Sequence, residues 1–402
     1  MKQKNVSKRV TSAILSMSLL TVMAGAAIAP ALGIIKAHFA GAPALLVQLI
    51  VSMPALLIIV TDLFFMAISR RLRTRAIATT GLLLYVVVGA GCYLVDNIWL
   101  LLALRALLGV SVGLTMPLST GLLAYYFPPE EQARLMGLSA AMNQMGGVVA
   151  TLLAGLLATI EWNYAFLVYL LGLIALVKVW LWLPDEQLGS ADKQGSPFRP
   201  RHLLKFHPSV VGMLLLMIIF FIFPTNFAVI ASQQIGLSPQ AITLIMVGLD
   251  VVAFFVGLAF GVLMHRFRQG IKYFAPVFFL LGYAAYLMPT VATVILGSTC
   301  IGIANGVGVP YLNTIASIKG GRNSATTVMP LLSIALYLGQ FVSPLVVIPL
   351  SRSLFGVDDL TAPYKVGILL CLAFLVQVYA TRHFQSLPPV NHNTNHNNQS
   401  EQ

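Results

Sequence analysis

Only two of the twelve acidic residues in this chain, Asp62 and Asp250, lie well inside long apolar runs, and a single arginine, Arg105, sits in a third. A carboxyl group sunk in an apolar medium is a site for taking up and releasing a proton. A guanidinium there costs roughly 2.5 to 3.5 kcal/mol on insertion scales, so something must offset it. Three offsets are open for Arg105: one of the two acids, an anionic group on a ligand, or the carbonyls of neighbouring helices. The first two would place it on a water-filled cavity. Asn143, Gln144, Asn226, Asn305, Asn313 and Gln340 also fall in apolar runs. They are candidates to line a polar path, although each alone also reads as an interhelical hydrogen bond.

Spacing adds to residue type. Arg105, Gly109, Gly113 and Pro117 follow one another at four-residue steps, which on a helix aligns a guanidinium and two bare patches above a proline kink. Gly302, Gly306 and Pro310 repeat that pattern 193 residues later, with Ser298 at the arginine's place. Pro30 and Pro224 are 194 apart. Such an offset predicts two parallel repeats around an axis normal to a membrane, with a substrate site between them near midplane.

The elements that must position these residues are membrane helices. The chain is 58% hydrophobic and 9% charged, where soluble domains carry about 25% charged residues. Runs of roughly 20 apolar residues predict twelve helices. They fall at 12–35, 45–68, 76–95, 98–126, 136–159 and 163–183, then at 209–231, 240–264, 273–291, 293–316, 325–350 and 364–381. The fold class is therefore an all-α membrane protein of two pseudo-symmetric six-helix bundles, residues 1–184 and 209–383. Residues 185–208 form a polar cytoplasmic linker, and residues 384–402 are too polar to pack and read as a disordered tail. The small-residue stretch AGAAIAPA resembles a signal cleavage site, but the run before it is too long for one, so it reads as an uncleaved first helix.

The net charge of +12 sits in short clusters between apolar runs, which argues against nucleic-acid binding. With the N-terminus inside, 19 of the 24 basic residues fall on inner segments. That asymmetry predicts both termini in the cytoplasm. Cys92, Cys300 and Cys371 are far apart in apolar runs and read as small core residues, not as a disulfide or metal site. Lys178, near the inner end of helix six, reads as a snorkelling side chain.

At this point the residues resemble the major facilitator superfamily over about residues 8 to 383. The loop FMAISRRLRTR is similar to the family's G-x-x-x-D-R-x-G-R-R signature. Arg70 and Arg73 match, while Phe65, Ser69 and Leu72 stand where the family has glycine, aspartate and glycine. In the family that aspartate helps latch the halves at the inner face. The second-half copy GVLMHRFRQG keeps Gly261 and Arg266, with His265 at the aspartate's place. Arg105, Gly109 and Gly113 match the helix-four signature R-x-x-x-G-x-x-x-G, and PPEEQARLMGL and WNYAF, with Trp162 and Phe166, are similar to family loops. Helix five carries Gly137, Gly146, Ala150, Thr151, Ala154 and Gly155 along the pattern G-x8-G-x3-G-P-x2-G-G of proton-exchanging members, without its proline. Gly146, Ala150 and Ala154 also form a small-residue stripe that would suit a seam between two rocking bundles.

The resemblance implies a secondary transporter of an inner membrane, a monomer in the bilayer that moves a small organic solute by alternating access, outward in exchange for protons. Asp250 and Asp62 are the coupling candidates. A proton-coupled importer of an organic anion is the alternative, with Arg105 on the anion, and a non-transporting sensor or scaffold is the rival from another class. No phosphate loop G-x-x-x-x-G-K-[ST] and no H-E-x-x-H or catalytic His/Asp pairing sits in an apolar run, so neither ATP-driven pumping, nor enzymatic hydrolysis, nor a cofactor is expected.

Overall fold

Lipid offers the backbone no hydrogen bonds, so each long apolar run closes its own as a helix. The computed structural model describes residues 7–28, 31, 34–35, 38–39, 41–42, 44–158, 160–187, 204–288, 290–321, 324–356 and 359–382. Among them there is no strand. Among the described residues the long α-helices of the first half are α1 (Lys8–Ala26), α2 (Ala44–Arg71), α3 (Thr74–Gly91), α4 (Ile98–Tyr126), α5 (Pro129–Ala158) and α6 (Gly172–Trp182). Those of the second half are α7 (His207–Ile230), α8 (Pro239–Phe267), α9 (Phe274–Ala285), α10 (Val291–Gly320), α11 (Ser324–Phe355) and α12 (Ala362–Ala380). Pro30, most of the 185–208 linker and the 384–402 tail lie outside the described residues.

Local chemistry sets the ends. Asn97 caps α4 by accepting from the backbone N–H groups of Trp99 and Leu100, at 2.9 and 3.3 Å. Thr290 and Thr293 form a capping box on α10, and Ser238 followed by Pro239 opens α8. Helix five begins seven residues earlier than its apolar run predicts. Pro129 supplies a first helical residue, and Glu130 and Glu131 complement the positive end of the helix dipole. The sixth span opens as a 3₁₀ stretch, Trp162–Leu171, before α6.

Ten helical stretches among the described residues are long and apolar enough to cross a membrane, and one of these, Ala241–Ala285, runs through both α8 and α9. Large apolar side chains such as Leu63, Phe64, Leu156 and Val262 stay exposed, as a surface facing lipid requires. In the first half α2 lies along α4, α1 along α5, and α3 beside α4 and α6; in the second, α8 lies along α10, α7 along α11, and α9 beside α10 and α12. The neighbour pattern is thus repeated six helices on. Across the halves, α5 packs on α8 and α2 on α11, with α4 and α10 completing the contact.

Candidate functional site

The repeated glycines hold each half together. A Cβ on Gly109 would run into Pro54 O of α2, and one on Gly113 would lie 2.6 Å from Thr61 Cβ. In the second half a Cβ on Gly302 would lie 2.7 Å from Leu249 O of α8, and one on Gly306 2.8 Å from Ala253 O. Only a bare backbone permits this closeness. Pro117 and Pro310 lie buried inside α4 and α10, one step further along the same helices.

Arg105 shares that helix face, and its surroundings correct the expectation of a cavity. The side chain is fully buried. Its Nε donates to Ile50 O at 2.7 Å, one terminal nitrogen donates to Ala24 O at 2.8 Å, and the other donates to Tyr169 Oη at 2.6 Å. The Tyr169 hydroxyl donates in turn to Ala24 O at 3.0 Å. Of the three possible offsets, the helix carbonyls win, because α1, α2 and the sixth span bring acceptors within reach of a side chain that has no aqueous exit. The guanidinium therefore links α1, α2 and the sixth span within the first half.

The two acids sit elsewhere, one on each of the helix pairs that join the halves. Asp62 of α2 is 2% exposed, and neither carboxyl oxygen has a hydrogen-bond partner. Its polar neighbours across the seam are Ser333 and Tyr337 of α11; the Ser333 hydroxyl turns to Met116 Sδ of α4 at 3.4 Å. Asp250 of α8 is half-buried and accepts from Gln144 Nε2 of α5 at 3.3 Å. Both carboxyl groups thus face the opposite half.

The remaining candidates scatter. Asn143 accepts from the Thr21 hydroxyl of α1, and one turn away Ser18 and Ser139 share a 2.7 Å bond. Both links stay within the first half. Asn226 donates to Ile222 O and to Thr225 Oγ1, each at 2.9 Å, and so serves its own helix. Asn305 is buried, with its side-chain oxygen unpaired. Asn313 and Gln340 are half-buried on α10 and α11. Asn143 thus makes an interhelical bond, as the interhelical alternative anticipates, and Asn226 bonds within α7.

The seam between the halves is not the stripe Gly146, Ala150, Ala154. A Cβ on Gly146 would strike Leu19 O of α1, so that stripe closes the first half on itself. The crossing of α5 and α8 instead uses Gly137, where a Cβ would lie 2.5 Å from Gly257 O, and Gly261, where it would lie 3.0 Å from Arg134 Cα. Nearer the chain ends, Gln132 of α5 donates to Ala124 O and Phe127 O at 3.1 and 2.9 Å and accepts from the Ser317 hydroxyl of α10. Gln132 lies in the quoted loop motif, but nothing in its type or spacing marks it as a bridge. These contacts run from the face carrying the chain ends to the middle of the helices, and they close the halves against each other there.

Arg73, matched to the inner-face signature, donates to Asp185 Oδ2 at 2.6 Å, and Gln187 Nε2 donates to Arg70 O at 2.7 Å. The α2–α3 loop is thus tied to the segment after α6, within its own half. On the opposite face, His38 pairs with Asp96 at 2.5 Å while stacking on Trp162. There too Lys365 pairs with Asp359 at 2.6 Å and, with Thr361, holds that carboxyl below the usual carboxylate range. The three cysteines are buried and free.

Two six-helix halves with repeated packing, closed across one face and carrying an acid at each cross-half helix pair, define a polytopic membrane protein of the two-bundle transporter class. Residues 14–344 match the model of the Major Facilitator Superfamily, and the chain belongs to that family. It is similar to the human organic anion transporter MFSD10 in its crystal structure, at TM-score 0.76 and 17% identity, over 92% of this chain and 99% of that one. The proton:xylose symporter XylE superposes at TM-score 0.73 and 14% identity, over 94% and 96%. In sequence, "Probable anion transporter 4, chloroplastic" of Arabidopsis thaliana is 35% identical over 87 residues, 21% of this chain and only 16% of that protein. Quinolone resistance protein NorA of Staphylococcus aureus is 24% identical over 77% of this chain and 80% of its own.

Proposed function

We propose that the protein exports a small organic solute across a cytoplasmic membrane in exchange for protons, with residues 1–184 and 209–383 as the two moving halves and both chain ends in the cytoplasm. One observation carries the proton coupling: the two intramembrane acids, Asp62 and Asp250, lie on the two helix pairs along which the halves must part. An ionised carboxylate is costly against an apolar partner helix and tolerable beside water. Protonation at these positions therefore favours the closed seam, and release of the proton favours its opening. Alternating access then follows from charge at the two places where a change of charge shifts the contact between halves. The half-buried Gln144, which holds Asp250 across the seam, Asn305 with its unpaired side-chain oxygen, and the half-buried Asn313 and Gln340 are the polar groups that remain as cavity candidates. The long likeness to NorA supports export.

The likeness to anion transporters supports a second reading, proton-coupled import of an organic anion. Arg105 does not favour that reading, since each of its three nitrogens donates to a carbonyl or to Tyr169 in a fully buried setting. Flux into inside-out proteoliposomes separates the two. Export by exchange predicts accumulation when the lumen is acidic, and loss of gradient-driven accumulation, by tenfold or more, in Asp62→Asn or Asp250→Asn. Accumulation that follows protons inward overturns the exporter, and gradient-driven flux that survives both substitutions overturns the coupling.

A further inference from the structure

A groove of about 850 Å³ runs along the first half on the side that carries the chain ends, away from the seam acids. That is at the upper end for sites that take a drug-sized ligand. It arises from the path of the chain. Helix α5 packs against Trp162–Leu171 near their connecting loop, while toward the chain ends α1 lies beside both α5 and α6 and floors the space between them. Its mouth holds Lys8, Arg134 and Lys178 against the single acid Glu131. Among the described residues none of these four enters an ion pair; Lys178 Nζ donates only to Ser12 Oγ, at 3.3 Å. Lys8 begins α1, Arg134 is in the second turn of α5, and Lys178 is about one turn from the end of α6, so all three lie within two helical turns of the helix ends on the face that carries the chain ends. Beyond them the walls turn apolar, with Leu19, Leu138, Met142 and Ile174.

We propose that this groove holds one anionic phospholipid of the surrounding bilayer, its phosphate among Lys8, Arg134 and Lys178 and its chains along the apolar walls. The charges at the mouth match an anionic headgroup, and their depth matches the level at which headgroups lie. A soluble anion would use the mouth but leave the apolar shaft unexplained, and a zwitterionic lipid would gain nothing from the excess of cations.

The test uses the full chain, purified and delipidated in detergent, titrated with dioleoylphosphatidylglycerol or dioleoylphosphatidylcholine and read by native mass spectrometry. One phosphatidylglycerol should be retained in preference to phosphatidylcholine. Lys8→Gln and Lys178→Gln should each weaken it about fivefold, the effect of one basic residue beside anionic lipid. Arg134 is left unaltered because its Cα packs on Gly261 at the seam. Glu131→Gln should tighten phosphatidylglycerol, a gain that a misfolded variant would not show. Equal retention of the two lipids, unchanged binding in both lysine variants, or no gain with Glu131→Gln overturns the proposal. Displacement of the lipid by soluble glycerol phosphate at matched concentration also overturns it, by making the site one for free anions.

Discussion

The interiors of the two halves solve one packing problem with different chemistry. In the first, Arg105 draws α1, α2 and the sixth span together through Ala24 O, Ile50 O and Tyr169. In the second, Ser298 replaces the arginine and shares a 2.6 Å bond with Tyr286, whose ring lies 4.8 Å from Tyr364 and 6.3 Å from Tyr283. Tyr283 of α9 donates to Ile219 O of α7, as Tyr85 of α3 donates to Leu20 O of α1 in the first half. Tyr364 falls two residues from the 193-residue repeat of Tyr169, yet its hydroxyl has no partner. The glycine pattern and the tyrosine-to-carbonyl bond recur in both halves while the arginine does not. The close helix crossings are thus what the repeat demands, and Arg105 is one of two ways to fill the space beside them.

That contrast predicts a graded response. Arg105→Leu strands the Ile50 carbonyl and removes two more bonds, to Ala24 O and Tyr169, which keep each other as partners; hydrogen bonds from a charged donor are worth about 1.5 to 3 kcal/mol each, so a loss of about 3 kcal/mol or more is expected. Ser298→Ala removes one neutral bond and should cost about 1 kcal/mol. Thermal unfolding in detergent compares the pair, and equal losses would mean the arginine has no special part in the first half. Gly109→Val and Gly302→Val should each cost about 1 to 3 kcal/mol by forcing α2 from α4 and α8 from α10. A tolerated valine in only one half would break the claim that the crossings are equivalent.

Gly137→Val acts between the halves instead of within one. It should leave unfolding nearly unchanged while raising cysteine-labelling rates at positions near Gln132 and Ser317, as the seam is wedged open; unaltered labelling would show that this crossing does not hold the face closed. The smallest effect belongs to the opposite face. Asp359 is held below its ordinary range by Lys365 and Thr361. Its contribution to stability is therefore present above the unfolded carboxylate value of about 3.9 and is lost as pH falls through the lower folded value. Lys365→Met should reduce that acid dependence, Thr361 keeping part of it, at a cost within the roughly 0 to 1 kcal/mol of an exposed pair. A melting profile unchanged by the substitution between neutral and acid pH would show that the pair contributes nothing.

Much of this was legible in advance. Helix α4 was placed at 98–126 by an unbroken apolar run, and the run ends where Asn97 caps it and Pro128 follows. The apolar run of helix α5 starts seven residues inside the helix, because Glu130, Glu131 and Arg134 read as loop, although a helix rim at a membrane face accommodates charge. The stripe Gly146, Ala150, Ala154 was visible as a close-packing surface, but small residues do not say which neighbour approaches. Gly137 and Gly257 form the crossing between halves from equally ordinary positions.

The chain's own composition and periodicity determined that it enters a membrane, in how many helices, with what internal repeat and with which two acids inside. Those follow from lipid's refusal of unpaired backbone and stray charge, which acts on each segment separately. Tertiary structure alone decided that Arg105 answers to carbonyls and that Asp62 and Asp250 face the opposite half. A carbonyl acceptor belongs to every residue and carries no mark in the sequence, and the direction an acid faces depends on how two bundles dock.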